Sequence, residues 1–269
     1  MDMTLSLSTQ VIEPWHNLQE NTPLVQCITN TVVQSFTANI LLAAGASPAM
    51  VDIPGESADF ARVASGLLIN LGTINVSHQL SIPEAAHAAF EAGTPWVLDP
   101  VAIGALKTRT RIAHELLQYR PTAIRGNASE IIALAGGEGG RGTDATASVE
   151  AAAESATQLA REYGSVVAVS GPVDLITDGE TSIECANGHE ILTRVTGAGC
   201  SLGACVAAYL STHENPLIAT AAAHATFEVA AEKAQAKSQG PGTFAVNLLD
   251  ELSLLTADSL QESVKISQR

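Results

Sequence analysis

The sequence predicts a three-layer α/β domain with a mostly parallel central sheet and an antiparallel edge. Three observations carry that expectation. Short runs that are apolar throughout alternate with longer segments of helical character. After residue 170 the runs shorten and are punctuated by the turn dipeptides Asp178-Gly179 and Asn187-Gly188. The chain has 269 residues, 46% of them hydrophobic and only 4% aromatic, so one large core must be built mainly from Ala, Val, Leu and Ile.

Leu24–Thr29 is the first predicted strand, because its apolar residues do not alternate with polar ones as they would in a strand with one wet face. Helix Val32–Ala44 follows, then strand Ala46–Val51, helix Ser57–Ala64 and strand Gly66–Leu71. The pattern continues through helix Pro83–Ala92, strand Pro95–Asp99, helix Leu106–Arg120, strand Thr122–Arg125 and helix Ser129–Ala135. Helix Ala147–Tyr163 and strand Ser165–Val169 complete the alternation, which is the signature of right-handed βαβ units. Val173–Thr177, Ser182–Cys185 and His189–Val195 are then expected as an antiparallel meander. Gly199–Leu210, Pro216–Lys237 and Thr243–Leu254 return to helix. The expectation is one domain over residues 1–269, with 1–20 and 257–269 flexible or peripheral.

The net charge of −15 argues against nucleic acid as a partner, since phosphate-backbone binding needs clustered Lys and Arg. A bound polyanion would have to be held by local devices: backbone N–H groups, a metal ion or a single Arg. No apolar run approaches the roughly 18 residues of a membrane span. The opening MDMTLSLSTQ lacks a basic region followed by an apolar one, which argues against a secretory signal. Cys27, Cys185, Cys200 and Cys205 have no zinc-knuckle spacing and are too few for a disulfide framework, so a cytoplasmic protein with reduced thiols is expected.

In parallel sheets ligands sit beyond the carboxyl ends of the strands. Asp99-Pro100, Arg125-Gly126-Asn127 and Ser170-Gly171 all lie there. Thr193–Ala204 reads TRVTGAGCSLGA, in which two glycines precede an apolar helix. Glycine admits positive φ and close approach to a ligand, and the N–H groups opening a helix attract an anion. Such donors would stabilise a phosphoryl group in transit. A glycine turn that merely allows tight packing explains the loop equally well. Cys200 at the helix start has its thiolate favoured and its pKa lowered; a base, a nucleophile or a small buried thiol all fit.

The glycine loop resembles the anion hole of ribokinase-like kinases, with Cys200 where their Gly-Ala-Gly-Asp pattern places a catalytic Asp. That departure is similar to the hydroxyethylthiazole kinase family of thiamin salvage. Cys27-Ile28-Thr29-Asn30, Gly45–Met50, Ile69–Thr73, Asp99-Pro100-Val101 and Arg125–Glu130 resemble it in the same order, over roughly residues 20 to 255. The resemblance implies a ribokinase-like fold. It also implies ATP-dependent phosphorylation of the hydroxyl of 4-methyl-5-(2-hydroxyethyl)thiazole, and a homotrimer with active sites between subunits.

Residue by residue, the resemblance makes Cys200 the catalytic position, Met50 and Gly197 substrate contacts, and Arg125 and Ser170 nucleotide contacts. Asp99 and Glu130 fall on the Mg²⁺ side, and Asn30 is placed at a neighbouring subunit's site. Each has an ordinary explanation as well. Asn127 with Glu130 forms a capping box, Asp99 can bond the backbone before Pro100, and Arg125 can pair at a strand end. Ser170 can be a turn serine and Met50 a core residue. Gly137–Gly142 matches the dinucleotide fingerprint formally, but it follows a helix rather than a strand and reads as a surface loop. No Walker A lysine pattern is present, and the seven His residues show no metal spacing, with His87, His114 and His224 reading as ordinary helix residues. Competing readings are a hydroxymethylpyrimidine kinase, a thiol-nucleophile enzyme centred on Cys200, and a non-catalytic thiazole-binding protein.

Overall fold

Successive strand residues face opposite sides of a sheet, so a run that is apolar throughout must be covered on both faces. The computed structural model, which describes residues 6–137 and 148–269, has that arrangement. In chain order it contains α1 (Leu7–Gln10), α2 (Ile12–Asn21), β1 (Leu24–Ile28), α3 (Gln34–Ala44), β2 (Ser47–Ala49), α4 (Glu56–Ala61) and β3 (Gly66–Asn70). There follow α5 (His78–Ala92), β4 (Trp96–Asp99), α6 (Lys107–Leu116), β5 (Ala123–Asn127), α7 (Ala128–Leu134), α8 (Val149–Tyr163) and β6 (Val166–Ser170). The last third holds β7 (Asp174–Thr177), β8 (Ser182–Cys185), α9 (Ala198–Leu210), α10 (Pro216–Ala236), α11 (Pro241–Leu254), α12 (Ala257–Ser263) and β9 (Ile266–Gln268).

Among the described residues one nine-stranded sheet runs in the order β2-β1-β3-β4-β5-β6-β7-β8-β9. Neighbours from β2 to β6 are parallel. The last three strands are antiparallel additions. The two faces divide the core as the pleat requires. In β3 and β4, Leu68 and Val97 face a cluster with α9 and α10, while Leu67, Ile69, Trp96 and Leu98 face one with α5, α6 and α7. This is the expected three-layer architecture with an antiparallel edge.

Two expectations are corrected. His189–Val195 is not the third antiparallel strand: Glu190–Arg194 forms a 3-10 turn, opened by His189, whose Nδ1 accepts from the Ile191 amide at 3.1 Å. The free edge of β8 is taken instead by β9, which registers Cys185 against Ile266. Helix α5 does not begin at Pro83. It begins a turn earlier, where the Asn75 side chain accepts from the His78 amide at 2.9 Å, and it carries Pro83 inside.

The described residues of the two chain-end segments form α1, α2, α12 and β9, with Leu18 and Leu260 fully buried. Beyond Gly137, the glycine-rich run 137–142 lies outside the described residues, as does the first residue expected of helix 147–163; α8 starts at Val149, capped by Ser148. No described helix is long and apolar enough to cross a membrane. The four cysteines are free.

Candidate active site

Because β1 through β6 are parallel, their carboxyl ends open on one edge of the sheet, and the residues just past them are gathered there. Asn70 and Asp99 are register partners at the ends of β3 and β4, and Asn127 and Ser170 at the ends of β5 and β6. The start of α9 meets this edge. Gly197 has φ +95°, and a Cβ there would stand 2.6 Å from Val33 Cγ1. A Cβ on Gly199 would stand 2.8 Å from Arg125 Nη1, and one on Gly203 3.5 Å from Asp99 Oδ2. The glycines thus let the helix approach the two charged strand-end residues. No side chain caps α9; the Ala198 amide donates to the Val195 carbonyl at 3.3 Å, while those of Gly199 and Cys200 are left to an incoming group.

A buried hydrogen-bond chain joins the thiol to the Asp99 carboxylate. Asn70 Nδ2 donates to Asp99 Oδ2 at 2.7 Å. Asn70 Oδ1 accepts from the Gly72 amide at 2.9 Å and from Asn30 Nδ2 at 3.3 Å. Asn30 Nδ2 also donates to Cys200 Sγ at 3.2 Å. Asn30 therefore meets the thiol of its own chain. The expectation of a lowered Cys200 pKa is corrected. Burial, reinforced by the charge of Asp99, pushes the thiol up to about 11 and outweighs Asn70, Arg125 and Asn30. A neutral thiol whose hydrogen-bond partners are amides lacks the imidazole that a thiol nucleophile needs as its base.

Asp99 is 1% exposed. Burial pushes its pKa up to about 7 although Arg125 and the Asn70 bond oppose the rise, and nearby Glu130 adds to it. Glu130 is raised as well, chiefly by burial. Its Oε2 accepts from the Asn127 amide at 2.9 Å in the capping box of α7. Its Oε1 accepts from the Ala102 amide at 2.9 Å, in the loop after Asp99 where Ala102 adopts φ +60°. A non-glycine residue in that region is strained; Glu130 holds it there. Two buried carboxyl groups with raised pKa values on one edge form a donor set suited to a hard divalent cation, whose charge would offset their burial.

Arg125 Nη2 donates to Ser170 Oγ at 2.7 Å, which brings the two expected nucleotide contacts together beside Gly199. Met50 follows β2 at the outer strand, partly buried against the α9-side core. Three participants had no role assigned from sequence. Asn70 stood in a recognisable segment, and its only signal was an amide ending an apolar strand. Asp174 was one polar residue in a predicted strand. His224 is not an ordinary helix residue: it is fully buried, with Nδ1 2.6 Å from Asp174 Oδ2. No sequence spacing reveals that meeting, because fifty residues separate the partners.

The match to known proteins covers nearly the whole chain. The model of the Hydroxyethylthiazole kinase family matches residues 15–258. A hydroxyethylthiazole kinase from Clavibacter sepedonicus is 58% identical over 251 residues, covering 93% of this chain and 91% of that protein. The solved hydroxyethylthiazole kinase of Pyrococcus horikoshii OT3 is 40% identical and superposes with a TM-score of 0.89 over 96% of this chain and 98% of its own. A pyridoxal kinase from Staphylococcus aureus, 19% identical with a TM-score of 0.55 over 77% of this chain and 86% of its own, shares the fold.

Proposed function

The chain belongs to the hydroxyethylthiazole kinase family, and from that premise we propose how its residues carry ATP-dependent phosphorylation of the thiazole alcohol. The observation that carries the reading is the meeting of the uncapped start of α9 with Arg125, Asp99 and the Cys200 thiol on one sheet edge. Amides of Gly197, Gly199 and Cys200 receive the phosphoryl oxygens, and Arg125, anchored by Ser170, adds a local cation in a protein of net charge −15. Asp99 and Glu130 would hold Mg²⁺, which when bound neutralises charge on the transferred phosphate. Met50 and Gly197 line the acceptor pocket.

Cys200 stands at the acceptor hydroxyl as a neutral thiol. A loose phosphoryl-transfer transition state asks little of a base, so positioning dominates. Cys200→Asp is accordingly expected to keep kcat within about tenfold of the parent. A variant that still binds both substrates yet turns over none would show that the thiol has a specific role. A homotrimer with sites between subunits accords with the apolar Val32, 67% exposed two residues past Asn30. A cytoplasmic location accords with four reduced thiols.

The deciding experiment is ADP release with the thiazole alcohol, a hydroxymethylpyrimidine and no acceptor, each with and without Mg²⁺. Release only with the thiazole alcohol and Mg²⁺ is expected. No release at saturating thiazole alcohol, or preference for the pyrimidine, overturns the assignment of acceptor.

A further inference from the structure

Behind the Arg125–Ser170 pair lies a buried polar cluster that phosphoryl transfer as described above leaves unused. Asp174 opens β7, Cys185 closes β8 as its register partner, and His224 and Glu228 lie one turn apart on α10. All four are 5% exposed or less. A buried charge is costly unless paired and hydrogen-bonded, and Asp174 is both. Its Oδ1 accepts from the Gly171 amide at 2.7 Å. Its Oδ2 accepts from His224 Nδ1 at 2.6 Å and from Ser170 Oγ at 3.4 Å.

The protons in this cluster can be assigned. A carboxylate only accepts, so the proton between His224 and Asp174 sits on Nδ1. Burial alone would raise Asp174, but the His224 bond and charge outweigh it and keep its carboxyl below the ordinary range. Burial, with Asp174 and Cys185 beside it, raises Glu228 well above its ordinary value and favours its protonated form, which can donate to Asp174. Cys185 Sγ lies 3.2 Å from Glu228 Oε2 on the far side.

Ligand atoms of Asp174, His224 and Glu228 fall within 4.8 Å of one another, as they would around a metal. The 2.6 Å contact argues otherwise. Two atoms each about 2.0–2.2 Å from one tetrahedral ion stand more than 3 Å apart, whereas Nδ1 and Oδ2 are at hydrogen-bond distance. The cluster is a proton-sharing network with Asp174 as its acceptor, in which His224 Nε2 is buried without a hydrogen-bond partner.

That network touches the active site at one atom. A serine hydroxyl has a single proton to give. With it committed to Asp174 Oδ2, the lone pairs of Ser170 Oγ are left for Arg125 Nη2 at 2.7 Å. Arg125 Nε is buried with no partner, so Ser170 is the side-chain anchor that the described residues give this guanidinium. We propose that Asp174, fixed by His224 and Glu228, is a positioning residue: it orients the Ser170 hydroxyl, and through it the Arg125 guanidinium, toward the nucleotide phosphates. The inference rests on the reading of Arg125 as a nucleotide contact.

The test is a double-variant cycle of Ser170→Ala and Asp174→Asn, with KM for ATP and KM for the thiazole alcohol measured separately. Each single variant is expected to raise KM for ATP about tenfold, the scale of coupling within one hydrogen-bond network. KM for the alcohol should stay within twofold. The double variant should be no worse than Ser170→Ala alone, because Asp174 acts through the serine. Additive losses, or equal rises in both KM values, overturn the proposal. Should Asp174→Asn fail to fold by circular dichroism, His224→Ala and His224→Asn take its place. His224→Asn keeps a donor near the Nδ1 position and is expected to recover most of the ATP affinity lost in His224→Ala; equal loss in both overturns the proposal. Arg125→Ala is measured alongside. An unchanged KM for ATP in that variant would fail the nucleotide reading itself, whereas a raised one with an additive cycle fails only the role of Asp174.

Discussion

Replacing Asp99 by Asn is expected to yield a protein that is more heat-stable and nearly inactive. The carboxyl is fully buried and its pKa is pushed from near 3.8 to about 7, chiefly by burial. A raised carboxyl pKa means that the folded state holds the proton more tightly than the unfolded chain does. Between about pH 4 and pH 7 the folded state therefore binds more protons, and stability falls as pH rises through that window. At about 1.4 kcal/mol per tenfold change in protonation, the full cost above pH 7 is about 4 kcal/mol. Asn keeps an oxygen for Asn70 Nδ2 and has nothing to ionise. The melting temperature of Asp99→Asn should thus exceed the parent's by several degrees at pH 8, and the gap should close toward pH 4. Turnover should drop by about 10²–10³-fold, the scale for losing one preorganised electrostatic group. Equal melting temperatures at pH 8, or turnover within twofold of the parent, would contradict this account of the carboxylate.

The second large effect is expected at Gly197. Its φ of +95° is closed to most L side chains, and an added Cβ would meet Val33 Cγ1 at 2.6 Å and Val33 Cβ at 2.9 Å. Val33 is 2% exposed and cannot swing away. Gly197→Ala must therefore either strain the turn, at about 1–3 kcal/mol, or relax it and turn the first amides of α9 away from the phosphoryl group. Both routes lower the melting temperature, and the second also costs about 10²-fold in turnover. Thermal melting and steady-state kinetics on the same sample separate the two. Turnover at the parental level would remove the loop from the catalytic account.

The parts of the fold that could be read from the sequence are those where one physical signal decides. Runs such as Leu67-Leu68-Ile69 are apolar on both faces because helices cover both faces, and the strands appear where those runs fall. Residues 189–195 defeated that logic because apolar Ile191 and Leu192 serve a 3-10 turn, which periodicity over so short a stretch does not distinguish from a strand. The partner that β8 needed came from Ile266–Gln268, too short and too polar to announce itself. Among the residues that the fold gathers at this sheet edge, those with a local signal were legible: Glu130 by its capping box, Gly197 and Cys200 by the glycine loop, Arg125 and Ser170 by their place at strand ends. The state of the Cys200 thiol was misjudged because burial is a property of the whole fold. Asn70, Asp174 and His224 meet residues distant in the chain, and only the folded arrangement brings those partners together.

The helix that begins with this loop has a mechanical consequence. Every residue of α9 from Ser201 to Leu210 is buried, Ser201 Oγ bonds Thr37 at 3.1 Å, and β3 runs so close that a Cβ on Gly66 would stand 2.5 Å from the Ala207 carbonyl oxygen. Lifting the helix away would separate the α9-side core from the sheet, which makes its local opening nearly as costly as unfolding the domain. The amides proposed to receive the phosphoryl group are thus rooted in a part of the molecule expected to exchange slowly. Whatever moves to admit and release substrates moves around that fixed point.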